Sequence, residues 1–204
     1  LGKSRSETLF NRIAPIYGLF YDKQKKRFGE VIDSFNNEID WKSYKRVLDV
    51  GCGTGALCSA LHQNNLWVIG VDTAFKMLKK ASKKNSDVHF IQSSVLEKLP
   101  FNDKIFDISI ASYVAHGMNQ NDRKLMYAEM SRVTNYKVII YDYNEKRSLL
   151  VTAVEWLERG DYFHFIKNAE YEMKNCFSEM RECFSEVRVV NVDVQAAWYI
   201  CTPV

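Results

Sequence analysis

Apolar residues in this chain come in short continuous runs, separated by stretches in which they recur every three or four positions. The runs "RVLDV" (46–50), "LWVIGVD" (66–72), "VHFIQ" (88–92), "IFDISIAS" (105–112) and "KVIIYDY" (137–143) are too short for helices and show little alternation. They read as strands buried on both faces. Helices are predicted near 56–64, 74–83 and 122–133. Strands alternating with helices argue for a doubly wound, mostly parallel α/β sheet. The tail breaks that rhythm. A helix over about 168–184 leads to "EVRVVNVDV" and, a couple of residues later, "AWYICTPV". A connection that short excludes a parallel crossover, so the seven-stranded sheet is expected to end in an antiparallel hairpin edge.

Residues 1–42 read as helix, broken or kinked near Pro15 and Gly18. Phe10, Ile13, Tyr17, Leu19, Phe20, Tyr21 and Phe28 give this segment more apolar surface than a solvated arm needs, so it is expected to cover part of the core. A second helical segment, near 148–168, carries Trp156, Leu157, Tyr162, Phe163, His164 and Phe165. No internal repeat or low-complexity linker divides the chain. The expectation is one domain over 1–204, with 1–42 as helical cover and 43–204 as an α/β core with a helical insert.

With 204 residues, 47% of them hydrophobic, the chain can bury a substantial core. A net charge of +3 gives no compositional argument for nucleic acid. Lys76, Lys79, Lys80, Lys83 and Lys84, and the run Lys23, Lys25, Lys26, Arg27, read first as solvated faces. Five cysteines without a CxxC pair suggest reduced thiols rather than a disulfide framework or zinc site. His62, His89 and His164 lack ligand-like spacing, and no metal is expected. With no membrane-length apolar stretch and no signal-peptide pattern, the expected setting is the cytoplasm.

The chemistry gathers at "VLDVGCGTG" (47–55), where Gly51, Gly53 and Gly55 join a strand to a helix. Glycine lets the backbone turn at positive φ and lets a ligand come close, while the first turn of the helix offers unpaired N–H groups. Two ligand classes compete for the loop. Gly51-Cys52-Gly53-Thr54-Gly55-Ala56 fits the dinucleotide pattern, with Asp72 placed to take ribose hydroxyls. Asp49, inside the strand before the first glycine, would repel a pyrophosphate but could orient loop amides or, through water, a ligand's ammonium group.

At this point the chain resembles the class I S-adenosylmethionine-dependent methyltransferases, over nearly its whole length. "VLDVGCGTG" is similar to their first motif, "VIGVD" to their ribose-binding second strand, and "DTAFKML" to the segment after it. "LPFNDKIFDISIAS" is similar to their approach to the fourth strand, and "APIYG" to an N-terminal helix of small-molecule members, quinone-biosynthesis enzymes included. The resemblance implies S-adenosylmethionine as cofactor, held by Tyr17, Asp49, Gly51, Cys52, Gly53, Gly55, Asp72, Thr73, Met77, Ser94, Val95 and Ser112. In it, Asp49 helps fix the amino group, Asp72 takes the ribose, Met77 covers adenine and Tyr17 closes over the reaction centre. Met77 reads equally well as a core methionine. Where many members carry an acid after the third strand, this chain has Ser93-Ser94-Val95-Leu96, and Gly18 replaces the aspartate usual in the N-terminal helix.

His116, just past the fourth strand in "ASYVAHGM", lies where open α/β sheets bind ligands and could take a proton from a nucleophile. A bond to local backbone is its plainer role. With Tyr17 and Tyr113 it completes the candidate catalytic set. The segment Ala111-Ser112-Tyr113-Val114 lacks the motif of amino-methylating adenine enzymes and the Pro-Cys of cytosine C5 enzymes, and no acid cluster marks a magnesium-dependent catechol enzyme. The expected acceptor is a small aromatic or apolar metabolite, with nucleic acid disfavoured and the protein a monomer or homodimer. An RNA or protein methyltransferase, a nicotinamide-dependent oxidoreductase and a binding module without transfer stay open.

Overall fold

The computed structural model describes residues 5–144 and 176–204, the side chains of residues 5, 6 and 15–17 excepted. Helices α1 (Arg5–Tyr17) and α2 (Tyr21–Ser34) and a 3₁₀ turn (Trp41–Ser43) precede the first strand. Then follow β1 (Arg46–Val50), α3 (Ala56–Gln63), β2 (Trp67–Asp72), α4 (Phe75–Lys84) and β3 (His89–Gln92). The chain continues through β4 (Phe106–Ser112), a 3₁₀ turn (Ala115–Gly117), α5 (Gln120–Val133) and β5 (Thr134–Tyr143), and ends in β6 (Glu186–Asn191) and β7 (Ala196–Thr202). Helix also covers residues 176–183, the described part of the predicted 168–184 helix, whereas the predicted insert near 148–168 lies outside the described residues.

The sheet has seven strands in the order β3-β2-β1-β4-β5-β7-β6. The first five are parallel, whereas β7 runs antiparallel to both β5 and β6. The expected hairpin is present, with its later strand on the inside. The central strand β1 sits between β2 and β4, with Asp49 level with Gly70 on one side and Ile110 on the other.

Both faces of the sheet are covered, which is why the strand sequences lack alternation. Val47, Val68, Ile108, Ile139, Tyr141 and Trp198 face a layer made by α2, α3 and the Trp41 turn. Leu48, Ile69, Phe106, Val138, Ile140 and Tyr199 face α5 and the helical residues 176–183. The N-terminal segment, expected as cover throughout, divides in two. Val31 and Ile32 of α2 belong to the core, and Phe28 packs edge-on against Tyr141, so α2 is a structural layer. Helix α1 instead rests on α4, with Phe10, Ile13 and Ala14 against Ala74 and Met77. The chain passes between the two helices at Gly18–Phe20, and Pro15 lies inside α1. On the other face Arg123 makes a two-pronged ion pair with Glu179, at 2.6 and 2.8 Å, that fastens α5 to the helical residues 176–183.

Candidate functional site

The carboxyl ends of β1, β2 and β4 converge on the glycine loop. Gly51, Gly53 and Gly55 all have positive φ, at 71°, 53° and 77°. The amides of Gly51 and Cys52 both donate to the Val71 carbonyl, at 2.8 and 3.0 Å, which ties the loop to the end of β2. At Gly51 a Cβ would fall 2.6 Å from Cγ2 of Val114, so the residue is glycine because the segment after β4 presses against it. At Gly53 nothing among the described residues lies within 4 Å of that position, and among them this face of the loop is open to a ligand.

Asp72, at the end of β2, closes the loop. One carboxylate oxygen accepts the Gly53 amide at 2.8 Å and the other the Ala74 amide at 2.7 Å, before α4 begins. The carboxylate thus serves the entry to α4, and each oxygen keeps a second lone pair for a hydroxyl. Burial raises the Asp72 pKa above the usual carboxylate value, opposed by the amides of Ala74, Gly53 and Thr73.

Asp49 lies in the interior of the sheet. Its Oδ2 accepts the Cys58 thiol at 3.0 Å, while Oδ1 is buried with no protein partner among the described residues. Burial pushes its pKa up to about 7, and the nearby charge of Asp72 adds to the rise. The Ser112 hydroxyl, at the carboxyl end of β4, is also buried without a partner among the described residues. A buried acceptor that lacks a donor is costly. Two carboxylates, an unpaired acceptor and an open glycine face suit a ligand that brings an ammonium group and a diol. They do not suit a pyrophosphate.

The remaining cofactor candidates differ in placement. Cys52 is buried, and burial takes its thiol up to about 11. Thr73 presents its carbonyl to the Gln92 side chain, at 2.9 Å. Ser94 caps its own turn, its hydroxyl accepting the Leu96 amide at 3.2 Å, and Val95 is part of the core. Met77 is buried where α4 meets α1, packed with Ala14 and Ala74. The Tyr17 side chain lies outside the described residues; earlier in α1, Phe10, Ile13 and Ala14 pack against Ala74 and Met77. Asn85 was not anticipated. Buried at the end of α4, it accepts the Tyr21 hydroxyl at 2.6 Å and points its amide nitrogen toward the Gly55 carbonyl at 3.5 Å, so α2 is linked to the loop.

Beyond β4 the structure brings Tyr113 and His116 together, with ring centroids 6.5 Å apart. Tyr143 stands between them, 5.0 Å from His116 and 5.3 Å from Tyr113. Tyr113 has φ of 55°, an uncommon conformation for a bulky residue. It is held there by its amide, which donates to the Tyr141 carbonyl at 2.7 Å. Burial raises its hydroxyl pKa, and the hydrogen bond and charge of Tyr141 add to this. His116 is bonded to a carboxylate, not only to local backbone. Its Nδ1 lies 2.7 Å from Oδ1 of Asp142, and its amide donates to Oδ2 at 3.2 Å. Asp142 was missed in the sequence. The available signal was a lone acid one residue from the end of an apolar strand, the position Asp49 has in β1.

A family model described as a methyltransferase domain matches residues 47–137, the segment that holds the glycine loop, Asp72 and His116. Residues 47–137 are thus similar to a methyltransferase family, which implies S-adenosylmethionine as methyl donor. A malonyl-[acyl-carrier protein] O-methyltransferase of Hamiltonella defensa is 31% identical over 127 residues, 62% of this chain and 48% of its own length. A demethylmenaquinone methyltransferase of Renibacterium salmoninarum is 30% identical over 130 residues, 62% of this chain and 52% of its own. The chain thus spans about half the length of the curated relatives it matches. Among solved structures, a Methanococcus maripaludis protein assigned to the S-adenosyl-L-methionine-dependent methyltransferases superposes with a TM-score of 0.75 at 15% identity, over 95% of this chain and 93% of that one. A Pyrococcus horikoshii protein gives 0.65 at 20% identity, over 86% and 89%. Both likenesses show the fold. The sheet also departs from the dinucleotide-binding strand order 3-2-1-4-5-6, because β7 is inserted antiparallel beside β5.

Proposed function

We propose that the protein transfers the methyl group of S-adenosylmethionine to a small acceptor at the carboxyl edge of the sheet. The observation that carries this reading is the buried, unpaired Oδ1 of Asp49 beside a loop whose Gly53 face is open. In this reading Asp49 and the loop amides hold the amino-acid end, Asp72 the ribose hydroxyls and Ser112 a further polar atom. Ser94, Val95, Thr73 and Met77 border the adenine, and Tyr17 closes the site from α1. The sulfonium supplies an activated methyl group. The protein's task is to align the nucleophile, exclude water and move a proton where there is one.

The acceptor side is Tyr113, His116 and Tyr143, an aromatic wall suited to a small aromatic or apolar metabolite. Matched relatives named for demethylmenaquinone and for a malonyl-[acyl-carrier protein] support a small methylated moiety. The chain acts as a single unit, monomer or homodimer. Its five free cysteines suit the reducing cytoplasm. Among the described residues no helix is long and apolar enough to cross a membrane, and no cluster of His, Cys, Asp or Glu could hold a metal.

Calorimetric titration with S-adenosylhomocysteine, NAD and NADP tests the cofactor assignment. Micromolar binding of the first alone, about 8 kcal/mol, is the expected result. Binding of a nicotinamide without S-adenosylhomocysteine would overturn it.

A further inference from the structure

We propose that the turn between α1 and α2 and the exposed face of α4 form a docking surface for an anionic phospholipid bilayer. Leu19 and Phe20 enter the headgroup layer, and the lysines of α4 lie on it.

Helix α4, FKMLKKASKK, has five lysines and no acidic residue. Met77, Leu78 and Ala81 are its buried positions, which leaves the lysines to the outer face. Residues four apart on a helix share a row, so Phe75, Lys79 and Lys83 form one row and Lys76, Lys80 and Lys84 the next. Among the described residues only Lys84 of the five has an ionic partner, Asp22 at 4.0 Å. Like charges at this spacing repel, and an anionic partner relieves the repulsion. A lysine row alone is an ordinary solvated face. What sets this one apart is the apolar residues beside it.

Three contacts lay the N-terminal segment along the second row. The Lys76 amide donates to Oδ1 of Asn11 at 2.8 Å. A Cβ at Gly18 would meet Nζ of Lys80 at 3.0 Å. The Lys84 ammonium lies 5.1 Å from the centre of the Tyr21 ring. Between Gly18 and Tyr21 the chain exposes Leu19 to 81% and Phe20 to 52%, and Phe75, at the first position of α4, is 58% exposed. The fold leaves all three in water, where apolar surface is unfavourable.

A bilayer suits this mixture better than a protein or a nucleic acid. Lysine is depleted from the cores of protein interfaces, whereas at a bilayer its stem lies along apolar surface while its ammonium reaches the headgroups. Helix α4 has no arginine, whose planar fork is the better phosphate clamp, and a phosphate backbone gives Leu19 no apolar medium to enter. Anionic headgroups attract the lysines, and the apolar tips add area buried at the acyl boundary. Docking of this kind is peripheral, and no helix among the described residues is long and apolar enough to cross a membrane.

The surface adjoins the cofactor edge. Phe75 is three residues beyond Asp72, whose carboxylate accepts the Ala74 amide at 2.7 Å just before α4 begins. Docking holds this end of the sheet against the headgroups, so that an acceptor dissolved in the bilayer reaches the site without crossing water. That consequence rests on the methyl-transfer reading, whereas the docking itself does not.

Co-sedimentation of the full chain with vesicles, at about 0.1 M salt, tests the surface. Vesicles of phosphatidylcholine and phosphatidylglycerol in equal parts should bind at least about tenfold more tightly than phosphatidylcholine alone. The triple variant Lys76→Gln, Lys79→Gln, Lys83→Gln should bind the anionic vesicles about a hundredfold more weakly, at roughly fivefold per lysine. Leu19→Ser combined with Phe20→Ser should lose about tenfold. Thermal melts close to wild type show that both variants are folded. Leu19→Trp should add fluorescence that brominated phosphatidylcholine in the anionic vesicles quenches. No preference for the anionic vesicles, or an unquenched Leu19→Trp on bound protein, would overturn the proposal. So would a duplex RNA that binds more tightly than the vesicles and depends on the lysines but not on Leu19 and Phe20. Failure of S-adenosylhomocysteine to bind would instead remove the methyl-transfer reading, because none of the vesicle measurements needs a cofactor.

Discussion

The Asp72 carboxylate accepts the Gly53 amide at 2.8 Å, so the side chain at the end of β2 holds in place the one glycine of the loop that faces open space. Removing it both frees the loop and removes the ribose acceptor. Asp72→Ala is expected to weaken S-adenosylhomocysteine binding at least about thirtyfold, roughly 2 kcal/mol for hydrogen bonds to a charged group. Asp72→Asn, which keeps one acceptor, should fall between. Calorimetry with circular dichroism as a folding control decides it, and unchanged affinity in the alanine variant would displace the ribose from Asp72.

Two neighbouring glycines should fail in different ways. Gly51→Ala places a methyl group 2.6 Å from Val114 at positive φ, so it should lower the melting temperature of the unliganded protein. Gly53→Ala carries the φ penalty alone, with no steric contact within 4 Å, and should melt closer to wild type. Its loss should be in ligand binding. Thermal melts with and without S-adenosylhomocysteine separate the two, and a liganded shift for Gly53→Ala equal to wild type would mean that the ligand does not approach there.

Asp49 makes stability and binding respond to pH in opposite directions. Its pKa rises from 3.8 to about 7 on folding, so between those values the folded state binds the extra proton. The resulting stabilisation is complete below about pH 4 and is lost as pH rises through 7. Its full size is on the order of 4 kcal/mol. Asp49→Asn should flatten that decline, as read by urea unfolding of the unliganded protein from pH 5 to 8. An ammonium-bearing ligand draws Asp49 to its anion, so wild-type affinity should increase over the same interval with proton release. Calorimetry in two buffers of different ionisation enthalpy measures that proton, and uptake instead of release would contradict the placement of the ammonium.

The buried pair Arg123–Glu179 tests how firmly the helical residues 176–183 are attached. Arg123→Met leaves a buried carboxylate facing apolar neighbours and should cost about 3–5 kcal/mol. Replacing both partners with methionine should recover most of that. Denaturant unfolding of the single and double variants gives the answer, and equal losses in both would show that the pair is not acting as a unit.

The strands were legible because both sheet faces are covered, so that "VIGV" (68–71) and "VII" (138–140) are apolar without interruption. The glycine loop was legible from its spacing and from Asp49 and Asp72. What escaped the sequence depended on partners distant along the chain. Asp142 gains its meaning from His116, 26 residues away, and Asn85 from Tyr21, 64 residues away. Nor does periodicity reveal which sheet edge a strand will join. The tail read correctly as antiparallel, yet nothing local in it says that the later strand takes the inner place. Helix α2 read as cover because its apolar stripe gives no indication of whether it meets a ligand or a sheet.

The inner position of β7 fixes the timing of assembly. Its seven residues, 196–202, are made after β6 but must be placed between β6 and β5, and they carry Trp198, which packs against Trp41 and Tyr141. Until that strand leaves the ribosome, β5 exposes an unpaired edge and the α2 layer lacks its largest contact. The nascent chain therefore holds a nearly complete nucleotide-loop half beside an unfinished half, a state that invites chaperones and strand-exchange between copies. The last step of folding is then a non-local one, and its rate should be sensitive to the sequence of β7 rather than to that of the glycine loop.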